Sequence, residues 1–221
     1  TTIWGFGFIA QSVGMDHIGP FTFQAVRCLL AVLFLIPCGF LLDAGKCSFR
    51  ESVAKWKNPT LWQVGLICGC ALFVASSLQQ IGIVYTDAGK AGFITAMYIV
   101  LVPVLGLFLG KKPPRTTVFS VALAVVGLYL LCLAGRDTLS LTGGEWQLLL
   151  CAALFTLQIM LVNHFSPQLD GIQLSFMQFL VVAVLSTVFM FAFETPTIEQ
   201  FRGAAVSIAY CGIMSSGVAY T

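Results

Sequence analysis

Residues 86–105 read TDAGKAGFITAMYIVLVPVL. From Ala91 on, the stretch carries no charge and runs on through apolar, aromatic and small residues to about residue 109. About 20 mostly apolar residues suffice to cross a bilayer as a helix. Lys90 stands at the start of the run. An ammonium there opposes the positive end of the helix dipole. A spanning helix that keeps such a lysine needs a reason for it.

The composition points the same way. Hydrophobic residues make up 58% of the 221 residues and charged residues 9%. An ordinary soluble domain is about half apolar and about a quarter charged. So few charges cannot cover so much apolar surface in water, and an integral membrane protein is expected. The net charge of +2, with no basic cluster interleaved with aromatics, excludes a nucleic-acid partner. Eight cysteines are present; Cys28, Cys38, Cys68, Cys70, Cys132, Cys151 and Cys211 lie in apolar runs. None forms a C-x-x-C pair or stands near a histidine at metal spacing, so they read as small apolar fillers. No metal or cofactor is expected.

Spans are expected at 21–42, 61–85, 88–109, 117–134, 145–163 and 172–193, with partial spans at 1–12 and 203–221. The breaks carry turn residues: Gly19-Pro20, Asn58-Pro59, Pro113-Pro114, Gly143-Gly144, Ser166-Pro167 and Thr195-Pro196. No signal peptide is visible. Both ends lie within apolar runs, so the chain reads as a piece of a longer one. With the N-terminus inside, the loops bearing Lys46, Arg50, Lys55, Lys57, Lys111, Lys112 and Arg115 are cytoplasmic. Lys90, Arg136 and Arg202 then lie outside. Basic residues favour the cytoplasmic side, so this orientation in the cell (inner) membrane is expected.

An internal repeat is visible. CGCALFVASS (68–77) resembles CGIMSSGVAY (211–220) at an offset of 143, and FTFQAVRCLLAV (21–32) lies over IQLSFMQFLVVA (172–183) at an offset of 151. The longer loop at 43–60 absorbs the difference. One unit then covers 1–135 (helices 1–5) and a second 143–221 (helices 6–8). Five is odd, so the second unit is inverted relative to the first, and about 55–60 further residues would complete it. The expected class is an all-α polytopic membrane protein of two inverted five-helix repeats, with eight helices here, two of them partial.

WGFGF (4–8), PFTFQAVRCLLA (20–31) and above all YTDAGKAGFITAMYIVLVPVLGLFLGKKP (85–113) resemble the EamA-type branch of the drug/metabolite transporter superfamily. The resemblance implies ten helices in two inverted repeats and export of small metabolites or amino acids. It does not name a substrate.

Arg27 is the sharpest candidate for substrate contact. It sits well inside the second span, where a charge costs about 2.5–3.5 kcal/mol on insertion scales. It is either structural, bonding nearby carbonyls or snorkelling outward, or it contacts substrate. Its repeat equivalent is Gln178. Two roles fit Lys90: snorkelling to headgroups, or forming an anion site with the free N–H groups of residues 88–91. Asp87 could instead supply the negative charge. Ser76, Ser77, Gln79 and Gln80 line the third helix, Ser76 and Gln80 on one face. Thr95 and Tyr98, three apart, fall on the Lys90 side of the fourth. Gln158 and Asn163 belong to the sixth, Tyr210 and Tyr220 to the eighth, and Trp4 and Phe6 could stack on an organic substrate. Gly65-x-x-x-Gly69 and Gly106-x-x-x-Gly110 permit close helix contact. Pro103 should kink the fourth helix. His164 ends the sixth.

No Asp or Glu lies in the middle of a span, which favours facilitated over proton-coupled transport. An intramembrane enzyme needs a nucleophile–base set or a metal. There is no H-E-x-x-H and no G-x-S-x-G, and the only histidines, His17 and His164, sit near span ends. A scaffold gains nothing from two opposed halves. The expected function is therefore a secondary carrier of small, anionic or amphipathic metabolites, working by alternating access.

Overall fold

The computed structural model describes residues 2–43, 56, 58–108, 110, 115–132, 142–165, 167 and 169–220. Lys46, Arg50, Lys55, Lys57, Lys111, Lys112 and Arg136 lie outside the described residues, as do the side chains of Arg115, Cys132 and Tyr220.

Helices begin where the sequence offers caps. α1 is Thr2–Met15 and α2 is Pro20–Asp43. α3, Pro59–Val84, starts with Asn58 Oδ1 accepting from Thr60 N (3.0 Å) and with proline at its first position. α6 is Arg115–Cys132 and α7 is Gly143–Phe165. α8, Gly171–Phe193, is capped by Asp170, which accepts from Ile172 N (3.0 Å). α9, Ile198–Ala209, opens on a capping box between Thr197 and Gln200, five residues ahead of the start read from hydropathy. It continues without interruption as a π-helix over Tyr210–Gly217.

The fourth span is divided. α4 covers Ala88–Thr95 and α5 covers Tyr98–Phe108. Pro103 lies inside α5, but the discontinuity falls at Ala96–Met97, nearly two turns before it. There the bonds Met97 N→Ile94 O (3.1 Å), Ile99 N→Ala96 O (3.0 Å) and Val100 N→Met97 O (2.9 Å) tighten the chain to i→i−3 spacing. Pro103 cannot donate to Ile99 O, but that carbonyl lies C-terminal to the break, so the lost bond does not account for the turn at Ala96–Met97.

Among the described residues, five segments are long and apolar enough to cross a bilayer: Pro20–Leu42, Pro59–Val84, Ala88–Phe108, Gly143–Phe165 and Gly171–Phe193. Large apolar side chains such as Leu33, Phe108, Phe119, Phe191 and Val206 face outward, while Gln11, Gln24, Arg27, Gln80, Thr156 and Gln178 are buried. Apolar outside and polar inside is the arrangement a lipid solvent selects. The molecule is an all-α polytopic membrane protein.

Close helix approaches run through glycines. α8 packs against both α2 and α3, around Cys28, Ala31, Leu35, Leu72, Phe179 and Val182. A Cβ on Gly69 would lie 2.7 Å from Val181 Cβ on α8, and one on Gly65 2.5 Å from Met177 Cβ. In the π segment, a Cβ on Gly212 would lie 2.8 Å from Leu30 Cβ on α2. Gly82 seats against Leu148, joining α3 to α7. Such seats let backbones approach where no apolar–water contrast drives helices together.

Candidate functional site

Three helices bring amide and guanidinium groups to one point in the interior. Gln11 of α1 is the hub: its Oε1 accepts from Arg27 Nη1 of α2 (2.9 Å) and from Gln80 Nε2 of α3 (2.7 Å). Its Nε2 donates to Gly7 O (3.1 Å), one turn back on α1. Gln24, on the Arg27 face of α2, donates to Ser77 Oγ (3.3 Å). Arg27 is 8% exposed and Gln80 is fully buried. Arg27 has no carboxylate partner among the described residues, and its Nε finds no acceptor. Gln80 Oε1 and Gln24 Oε1 likewise accept from nothing. A buried cation held by one neutral amide is under-compensated, and the cluster has spare capacity for a polar guest: one cationic donor and two carbonyl acceptors.

Next to this cluster in the chain, a cavity of about 450 Å³ opens where the ends of α1 and α3 meet the starts of α4 and α7. Its lining reaches Ser12 and Ile83, one residue from Gln11 and one turn from Gln80. Lys90 Nζ lies 3.8 Å from Glu145 Oε1 at the start of α7. Glu145 is 1% exposed, Lys90 22%. The carboxylate is held in place by its own helix start: Glu145 Oε2 accepts from Thr142 N (2.9 Å), and Glu145 N donates to Thr142 Oγ1 (3.4 Å). The negative charge beside Lys90 thus comes from α7. Asp87, offered for that role by sequence neighbourhood, makes no side-chain cap bond. Asp16 and Asp87 also line the cavity, so among its lining residues are three carboxylates and one ammonium.

The other expected residues are distributed as follows. Gln79 is buried on α3, beside Gln80. Thr95 is buried at the end of α4 with Oγ1 unpartnered. Tyr98 begins α5 and faces the Phe155 ring at 6.3 Å. The break at Ala96–Met97 lies between Thr95 and Tyr98, so helical i,i+3 spacing does not relate them. Gln158 of α7 donates to Gln178 Oε1 of α8 (2.6 Å), a separate buried amide pair. Trp4 is 39% exposed, with its Nε1 directed to Ser215 O (3.3 Å), and Phe6 faces outward. Tyr210 Oη donates to Ile3 O (3.2 Å), tying α9 to α1. Two central residues were not singled out from sequence, Gln11 and Glu145. Gln11 was detectable as the one amide in an otherwise apolar α1. Glu145 was detectable as the fourth residue of Thr142-x-x-Glu, a capping-box spacing.

With this geometry in view, comparison with known proteins is decisive for the family. The EamA-like transporter family matches over residues 1–133. The chain belongs to this family. An uncharacterized transporter of Archaeoglobus fulgidus is 31% identical over 188 residues, which is 85% of this chain and 54% of that one. The uncharacterized transporter YoaV of Bacillus subtilis is 26% identical over 228 residues, covering 100% of this chain and 74% of that one. The chain therefore spans about half the length of the archaeal relative. A solved crystal structure superimposes with a TM-score of 0.68 over 99% of this chain and 76% of that one, at 18% identity. That likeness is one of fold. The family match includes Gln11, Arg27, Gln80 and Lys90, and ends before Glu145.

Proposed function

We infer that the full-length protein is a secondary carrier that exports a small metabolite across the cell (inner) membrane by alternating access, rather than an enzyme or a scaffold. The observation that carries this reading is the buried cluster of Gln11, Arg27 and Gln80, with a cavity that reaches its chain neighbours Ser12 and Ile83, inside a bundle with an apolar exterior.

The reading takes residues 1–135 as one repeat and 143–221 as part of a second, inverted one. Packing supports it. Gly69 seats on Val181, and Gly212 on Leu30. Gly69 and Gly212 are 143 apart, Leu30 and Val181 151 apart, the two offsets of the repeat. Each repeat thus presents its third helix to the second helix of the other through an equivalent glycine. A pseudo-twofold axis in the membrane plane produces that exchange, and carriers place their sites on such an axis. With the N-terminus cytoplasmic, the cavity faces outward.

The substrate contacts in this reading are Arg27, Gln79 and Gln80, joined by Thr95 and Gln158, with Tyr98 and Trp4 contributing aromatic surface. Arg27, lacking an internal carboxylate, supplies the anion contact; Lys90, already facing Glu145, does not. The carboxylates at the mouth disfavour multiply charged anions, so a monoanion or an amphipathic metabolite with one anionic end fits best. The test is efflux of a metabolite panel from vesicles holding the full-length protein. At least one monoanion is expected to move, and Arg27→Gln to reduce its flux at least tenfold with normal membrane insertion. Equal flux from the variant removes Arg27 from the path.

A further inference from the structure

The division of the fourth span has a partner in the ion pair at its head. α4 is eight residues long and is joined to α5 by the i→i−3 turn at Ala96–Met97. Its inner face is apolar: Ala91 and Ile94 pack with Ile83, Leu148, Phe8 and Met15. A Cβ on Gly92 would sit 3.3 Å from the Phe8 ring of α1, while one on Gly89 would meet nothing within 4 Å. Ala91, Gly92 and Ile94 are therefore seated on α1, α3 and α7, Phe93 rests on Gly127 of α6, and among the described residues nothing covers the first turn at Gly89. At its first turn the charged tie to α7 is Lys90, through Glu145 at 3.8 Å, and both line the cavity.

We propose that α4 is the outer gate of the carrier, hinged at Ala96–Met97 and latched by Lys90 on Glu145. The inference rests on the carrier reading for its purpose but on local geometry for its mechanics. With the latch made, α4 lies over α1 beside the cavity floor at Ser12 and Ile83, one step above the Gln11–Gln80 pair. With it broken, the first turn of α4, uncovered at Gly89, moves away from α7 and widens the cavity, while Phe93 on Gly127 of α6 holds the end near the hinge. Glu145 suits a fixed catch. It is buried, and the Thr142 cap sets its position independently of Lys90. A partly solvated pair is weak, and a gate that opens in every cycle requires a weak latch.

Hydrogen–deuterium exchange on the purified full-length protein, without substrate, tests this. Lys90→Gln removes the charge on the moving side. Glu145→Gln removes it on the fixed side while keeping an amide that can serve the same cap. Both are expected to raise deuterium uptake in residues 86–97 about two- to fivefold, with uptake in 148–156 unchanged. Lys90→Arg is expected to exchange as the native protein does. Native uptake in 86–97 for Lys90→Gln, or an equal rise in 148–156, overturns the latch. The readout needs no transport. A latch that behaves as expected in a protein that moves no metabolite sinks the carrier reading alone; a moving metabolite with no change in exchange sinks the latch alone.

Discussion

Replacing Gln11 by glutamate separates a structural Arg27 from one that meets substrate. The change is nearly isosteric and puts a carboxylate where Oε1 now accepts from Arg27 Nη1 at 2.9 Å and Gln80 Nε2 at 2.7 Å. At an effective dielectric of about 20, unit charges that far apart attract by about 6 kcal/mol. Burying the new charge costs several kcal/mol. The second carboxylate oxygen also loses the bond that Nε2 makes to Gly7 O (3.1 Å), a further cost of about 1 kcal/mol. About 2 kcal/mol remains in favour of the internal pair. A substrate anion must then compete with it, and its apparent affinity is expected to fall roughly thirtyfold. Thermal stability is expected to hold or rise. The assay is concentration-dependent transport of a monoanion in reconstituted vesicles, paired with thermal unfolding of the same preparation. A Gln11→Glu protein that is as stable as the native one and transports the anion with unchanged affinity refutes the reasoning and leaves Arg27 a structural residue.

Other outcomes follow from the same geometry. Gly69→Ala and Gly212→Ala each drive a Cβ into a neighbouring side chain, at 2.7 Å from Val181 and 2.8 Å from Leu30. Each is expected to cost about 1–3 kcal/mol in unfolding, and the two losses should be similar if the seats are repeat equivalents. Glu194, just after α8, accepts from Phe21 N (2.9 Å), Thr22 N (2.8 Å) and the Thr22 hydroxyl, capping α2 from a distance. Glu194→Ala is expected to lower stability by about 1–2 kcal/mol, and Glu194→Gln by less, measured by thermal unfolding. A topology reporter fused after Arg50 should read cytoplasmic and one after Thr138 external; the reverse pattern inverts the assigned orientation.

The helical architecture was legible because the bilayer constrains length and polarity so strongly. Apolar runs and the Gly-Pro, Asn-Pro and Gly-Gly breaks located the helices to within a few residues. The start of α9 was hidden, since its first turn, Ile198–Phe201, includes Glu199 and Gln200 and owes its form to a cap. The break at Ala96–Met97 lies outside the turn whose bond Pro103 removes, and no residue there marks it. That Arg27 and Gln80 are buried was foreseeable from the cost of exposing them to lipid. Their common acceptor, Gln11, was not, because it depends on which face of α1 meets α2 and α3. Lys90 was noticed from the dipole conflict, but its partner comes from α7, and no local pattern places Glu145 beside it.

The central claim is that the polar interior of α1, α2 and α3 is reached by water from each side of the membrane in turn. Ser77→Cys is a near-isosteric probe there, since Ser77 accepts from Gln24 at 3.3 Å. Its labelling by a membrane-impermeant maleimide, compared in right-side-out and inside-out vesicles of the full-length protein, tests the claim most directly. Labelling above the native background from both faces, slowed by a transported metabolite, is the expected result. Labelling from neither face, or from one face only under all conditions, contradicts it.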